Sequence, residues 1–402
     1  MNRDSSGADR AALRADAQSP LSIPPGPVTS AILARIEKEL RDMWTAPLAP
    51  GEMPKSRVCT MNLVVAASSR EVADRYTAVV EEVTASMPSR AIVVTLEPES
   101  PTRALEGEAT AVCVRGESGV VCSERVRLVA SGSVCARVAS IVDALLVPEI
   151  PTALVWLGRV HTDDDVFTSM ALRSQRVVLD TEYTSLASLV QLAKWLREES
   201  EPRPALADLA WTRLATWQEL CARFFDEART RDHAREITRV TVRQASDSGA
   251  RLGSEGALLL GWLATRLGWR ATRMGGALRM KREDGRDVSL VLGAVPRPEG
   301  VAPGALASVE IEAASGGQAL KGSIVRELAS GGGVDGKTLD ADVVTWTCEL
   351  AGQPCQTRSV RLRANKGARV LERTLHRQVY DPTLVESVQF AEHFFEDGVV
   401  VR

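Results

Sequence analysis

Four histidines in 402 residues leave little material for metal or acid–base chemistry. His161, His233, His376 and His393 form no HExxH or HxH pair, and no cysteine stands two to four residues from another, so a zinc site has no sequence support. The chain has no P-loop and no GxSxG elbow, which removes nucleotide hydrolysis and serine-hydrolase chemistry as motif-based readings. No run approaches the roughly 20 apolar residues of a membrane-spanning helix. Residues 1–27 have no apolar segment of the secretory kind, and their Ser, Asp, Ala and Pro content predicts a disordered leader. A net charge of −3 gives no positive field to draw in nucleic acid. One local basic run, Arg358 to Arg369, lacks interleaved aromatics and reads as a solvated strand edge and helix start.

The seven cysteines (59, 113, 122, 135, 221, 348 and 355) are odd in number and scattered through apolar segments. That usage suits reduced thiols in the cytoplasm better than a disulfide framework. Cys113 with Cys122, or Cys348 with Cys355, could face each other across strands; buried free thiols are the simpler expectation.

What is present is a soluble balance, 45% hydrophobic and 25% charged, in a chain long enough for two or three cores. "RVCTMNLVVAA" and "RAIVVTLEP" read as strands buried on both faces, with a helix from Ser69 to Ser86 between them. A hairpin around "GESG", a helix from Val134, and strands at Thr152–Leu157 and Gln175–Glu182 continue the pattern. This alternation predicts an α/β N-terminal domain, residues 28–203, with a mainly parallel sheet and helices on both faces. After the proline break at Glu199–Pro204, helices give way to strands joined by glycine-rich turns. Residues 204–402 therefore read as an α+β C-terminal domain with an antiparallel sheet, one face covered by closing helices at 368–378 and 383–395.

The first strand-to-helix turn is "AASSRE", with none of the glycines that let backbone approach a pyrophosphate. The domain is thus Rossmann-like without the fingerprint, and no cofactor, metal or catalytic residue is assigned. "HTDDDVF" (His161 to Phe167) reads as an acidic first helical turn, with a divalent metal as the sharper alternative. A sugar-phosphate or nucleotide site at the strand ends would draw on Ser68, Ser89, Arg90, Arg125, Gly158 and Asp180, with the two arginines holding a phosphate.

"DLAWTRLATWQELCARFFD", Asp208 to Asp226, concentrates aromatics. At roughly 100° per residue, Asp208, Thr212, Thr216, Glu219 and Arg223 share a polar face, opposite Leu214, Trp217, Leu220 and Phe224. Asp208 is placed as N-cap. Arg213 falls inside the apolar arc and must find a carboxylate or the Trp217 face; Trp211 falls at its margin, half covered. Asp208, Trp211, Arg213 and Trp217 are therefore candidates for a partner-binding surface, against the alternative of a helix packed between two domains.

Together with "EGALLLGWLATRLGW" and the upstream blocks "MPSRAIVVTLEP", "VCSERVRL" and "LLVPEIPTALVWLG", this stretch resembles the glucose-6-phosphate dehydrogenase assembly protein family, OpcA. The resemblance covers roughly Arg57 to Trp269 and departs at Gln218, where the family pattern leads one to expect arginine. It implies a non-catalytic protein that binds glucose-6-phosphate dehydrogenase and promotes its assembly or activity, supporting NADPH production. Self-association is left undetermined.

Overall fold

The computed structural model describes residues 27–45, 55–116, 119–181, 184–198, 203–246, 252–274, 277–297, 301–327, 343–362, 367–376 and 380–394. Residues 1–26 of the expected leader lie outside these.

Two eight-stranded sheets organise the described chain. The first contains β1 (Lys55–Arg57), β2 (Asn62–Ala67), β3 (Arg90–Glu97), β4 (Ala104–Gly116), β5 (Gly119–Ser131), β6 (Thr152–Leu157), β7 (Arg176–Leu179) and β8 (Ala205–Asp208). Its order is β1-β5-β3-β2-β6-β7-β8, with all of these pairings parallel and β4 antiparallel on β5. Alternate residues of β2 feed opposite cores. Val64 and Ala66 pack with helices Val138–Leu145, Asp165–Leu172 and Leu186–Glu198. Leu63 and Val65 pack with helix Arg70–Ser86. Burial on both faces is why these strands read as unbroken apolar runs. The chain builds β3 on one side of β2 and later β6 on the other, so the sheet's winding reverses between β2 and β6.

The second sheet runs β10-β11-β12-β9-β13-β14-β15-β16, over β9 (Ile237–Ser246), β10 (Arg270–Met274), β11 (Ala277–Lys281), β12 (Asp287–Pro296), β13 (Leu306–Ser315), β14 (Gln318–Glu327), β15 (Val343–Leu350) and β16 (Gln353–Arg361). It is antiparallel except where β12 lies parallel to β9. The sequence pattern passes over β9. Arg239 and Arg243 interrupt its apolar residues, and it stands alone between helices, yet it takes a central place and joins both halves of the sheet. β1 and β8 are likewise too short to read from periodicity.

The closing helices do not cover the antiparallel sheet as expected. Gly367–His376 returns to the first sheet's layer, where Val370 and Leu371 join Tyr76 and Val80 in one core. Pro382–Ala391 packs against helix Ser254–Arg266 and helix Leu186–Glu198. The apolar faces of these helices match surfaces left uncovered by elements far away in sequence, which local patterning does not encode.

The cysteine expectation also needs correction. Cys113 on β4 and Cys122 on β5 stand directly opposite in register and form a disulfide. The antiparallel pairing of β4 with β5 sets that register, so a pair of thiols read as free is held together by the strand ladder. Cys59, Cys135, Cys221, Cys348 and Cys355 are free; Cys348 and Cys355 line one crevice across a register shift of β15 and β16 without forming a disulfide. Cysteine usage thus no longer argues for one compartment.

Candidate functional site

Helix Leu209–Arg223 begins where the first sheet ends. β8 delivers Asp208 as its N-cap, with the carboxylate accepting from the Trp211 amide at 2.9 Å. Asp208 also accepts from the Thr181 amide at 3.2 Å, which ties the cap to the loop after β7. At the other end, Trp346 of β15 donates to the Leu220 carbonyl at 2.9 Å and stacks on Phe224, with ring centroids 5.0 Å apart. One helix is therefore fastened to both sheets.

Its first two turns are covered on both sides. The expected polar face is solvated only toward its end: Glu219 and Arg223 are exposed, but Thr212 and Thr216 are buried, and Thr212 shares a 2.7 Å hydroxyl hydrogen bond with Thr374 of helix Gly367–His376. Trp211 is not marginal either. It is 5% exposed, and its indole Nε1 donates to Asp381 at 2.9 Å. Helical geometry located its direction correctly but could not show that the C-terminal helices close over that edge.

Arg213 forms the centre of a buried ionic cluster. Its Nη2 lies 3.1 Å from Asp180 Oδ1 and its Nε 3.2 Å from Glu255 Oε1. Asp180 directly follows β7 and also accepts from the Tyr76 hydroxyl at 3.2 Å. Glu255, in the first turn of helix Ser254–Arg266, accepts from the Leu306 amide at the start of β13, 3.0 Å away. Burial works to lower the Arg213 pKa, but the carboxylates of Asp180, Glu255 and Asp208 outweigh it and hold the guanidinium above its usual range. Asp208 goes the other way. Desolvation pushes its carboxyl up to about 7 despite the backbone donors that favour the anion. The Trp217 face anticipated for Arg213 is occupied by Arg326 instead, 5.8 Å from the ring centroid.

The motif residues Asp208, Trp211, Arg213 and Trp217 thus come together as an interior junction. Tyr76, Glu255, Arg326 and Asp381 complete it and escaped the sequence reading. Only Glu255 carried a signal, as a charged residue leading an apolar helix. At Gln218, where the family pattern suggests arginine, the amide nitrogen is buried without a hydrogen-bond partner among the described residues.

The strand-end residues do not converge. Arg90 pairs with Glu124 at 2.6 Å and donates to the Leu145 carbonyl, while Arg125 closes on Glu81 from the opposite face of the sheet. Adjacent positions on paired strands put these side chains on opposite faces, so they cannot hold one phosphate. Ser89 is buried at the amino end of β3, and Asp180 is committed to Arg213. Ser68 and Gly158 alone share a crevice, at the carboxyl ends of β2 and β6. Asp164 of the aspartate run caps helix Asp165–Leu172 through the Val166 amide. Among the described residues no three His, Cys, Asp or Glu side chains gather as a metal group, and no helix is long and apolar enough to cross a membrane.

Comparison with known proteins places this architecture. Two family models match, both described for a "Glucose-6-phosphate dehydrogenase subunit": that of its N-terminal domain over residues 80–194, and that of its C-terminal domain over residues 204–388. A Nostoc punctiforme protein named "Putative OxPP cycle protein OpcA" is 31% identical over 153 residues, 38% of this chain and 31% of that protein. A Synechocystis protein of the same name is 25% identical over 194 residues, 47% of this chain and 39% of its own. The chain's match spans well under half the length of either relative. Among solved structures, a 3-ketoreductase from Actinomadura kijaniata aligns with 83% of this chain and 95% of its own, at 11% identity and a TM-score of 0.41. With both halves matched by profiles of one family, the chain belongs to the OpcA family of glucose-6-phosphate dehydrogenase assembly proteins.

Proposed function

We propose that this protein is a non-catalytic, cytoplasmic assembly factor and allosteric activator of glucose-6-phosphate dehydrogenase, built from units 28–203 and 204–402. In this role it sustains NADPH production by the oxidative pentose phosphate pathway. The supporting observation is the match of both halves to domains named for that enzyme. An adaptor raises a partner's activity only by binding its active conformation or oligomer more tightly than the inactive one, so it needs a surface of fixed shape. The Asp180–Arg213–Glu255 cluster supports that reading by locking the two sheets against a common helix. Asp208, Trp211, Arg213 and Trp217 then act by setting the position of that helix, since their side chains are largely enclosed.

The test mixes purified chain with the dehydrogenase from the same organism and follows NADPH formation alongside particle mass by light scattering. A stable complex with a raised rate, or a shift toward a larger dehydrogenase oligomer, is the expected result. No complex and an unchanged rate would overturn the proposal.

A further inference from the structure

The crevice that holds Ser68 and Gly158 lies where the winding of the first sheet reverses, outside the carboxyl ends of β2, β3 and β6. In open α/β sheets this is the position at which loops diverge and leave space for a ligand. Its volume is about 700 Å³, within the range typical of small-molecule sites. Ala66, Ala67, Leu96 and Trp156 give it a largely apolar wall. The indole Nε1 of Trp156 donates to the Arg159 carbonyl at 3.0 Å, which fixes both the ring and the loop carrying Arg159.

The polar groups stand at the rim. Glu97 closes the second strand of the β2–helix–β3 unit and accepts from Arg70 Nε at 2.7 Å, from Arg70 Nη2 at 3.4 Å and from Ser131 at 2.9 Å. A carboxylate has about four acceptor sites, so Glu97 retains room for one hydroxyl donor. A carboxylate at that strand end is where nucleotide-binding sheets of this topology engage ribose hydroxyls. Arg159 is exposed and has no ionic partner among the described residues. Helix Arg70–Ser86 begins at the crevice with Ser69 as its cap, so its positive end faces the same space.

Two features limit how much phosphate fits. Ser68 and Ser69 carry side chains where a dinucleotide fold places glycine, which keeps the backbone from cradling a pyrophosphate. Glu97, Glu99 and Asp164 also line the crevice, and they disfavour a polyanion.

We propose that this crevice binds a nucleoside monophosphate. One of its ribose hydroxyls donates to Glu97, its phosphate lies between Arg159 and the start of helix Arg70–Ser86, and its base rests on the Trp156–Leu96 wall. This site is independent of the assembly role, because binding is measured on the chain alone.

The experiment is isothermal titration of the full chain with AMP, GMP, CMP and UMP, and with NADP⁺ and inorganic phosphate as comparison arms. At least one nucleoside monophosphate is expected to saturate one site, with inorganic phosphate and NADP⁺ weaker. Two rim substitutions at exposed positions, Arg159→Glu and Ser68→Tyr, are expected to weaken that binding about tenfold or more, with circular dichroism unchanged. No saturable binding of any of the four overturns the proposal. So does binding that both folded variants leave unaltered, and tighter binding of NADP⁺ overturns the single-phosphate assignment.

Discussion

Arg213 and Asp180 meet at 3.1 Å between the helix that joins the two sheets and the end of a strand in the first. Through Glu255 the same guanidinium reaches the amide of Leu306, where β13 of the second sheet begins. A single side chain therefore connects the two sheets, and it does so with one positive charge between two buried carboxylates.

That arrangement makes Arg213 costly to remove. Arg213→Met leaves Asp180 and Glu255 buried without a counter-charge, and the expected loss is about 3–5 kcal/mol of stability. Arg213→Lys should recover only part of this, since one ammonium cannot reproduce a planar fork that serves both carboxylates. Urea denaturation of the three proteins provides the comparison; equal midpoints would show that the cluster contributes nothing.

Asp208 predicts a pH dependence of defined sign. Its folded-state pKa is pushed up to about 7, against an ordinary value of 3.8. Between those values the folded protein holds a proton that the unfolded chain releases, so this contribution is fully present below 3.8. It declines as pH rises and is lost above about 7. Asp208→Asn keeps a capping side chain and abolishes the titration. Melting temperatures from about pH 4.5 to 8 should fall more steeply in wild type than in the variant. Parallel curves would remove Asp208 as the source.

The Cys113–Cys122 bond is open to chemical counting. Of the seven cysteines, five are free, so alkylation in denaturant without reductant should add five labels by intact mass. Prior reduction should raise this to seven. Seven labels before reduction would mean that the pair is not bonded in the purified protein.

Gly261 marks a close helix crossing. A Cβ added there would lie 2.3 Å from the Ser387 carbonyl oxygen, so Gly261→Ala must force helix Ser254–Arg266 away from helix Pro382–Ala391. The expected destabilisation is about 1–3 kcal/mol, although alanine favours an isolated helix. A stabilised variant in thermal unfolding would contradict this packing.

Some of this was legible beforehand. β2, β3 and β6 announce themselves because strands covered on both faces must be apolar throughout, and Asp208 announces a helix start because a capping carboxylate precedes an apolar run. β9 stayed hidden because its central position depends on partners at 287–296 and 306–315, and its own residues include an exposed Arg239 and a half-buried Arg243.

The sequence by itself determined that two sheets form, which of their strands are doubly buried, and that Arg213 needed a partner within an apolar arc. Periodicity and desolvation cost act within a helix or strand, and they suffice for those conclusions. Only the tertiary structure decided that the partners are Asp180 and Glu255, that the closing helices cover Trp211, and that Cys113 meets Cys122. The first two depend on contact between segments whose separation along the chain no local rule specifies, and the third on the register of the β4–β5 ladder. The tryptophans and Phe224 of the aromatic motif consequently lie inside the molecule at the seam between its halves, and an open crevice lies beside Ser68 and Gly158.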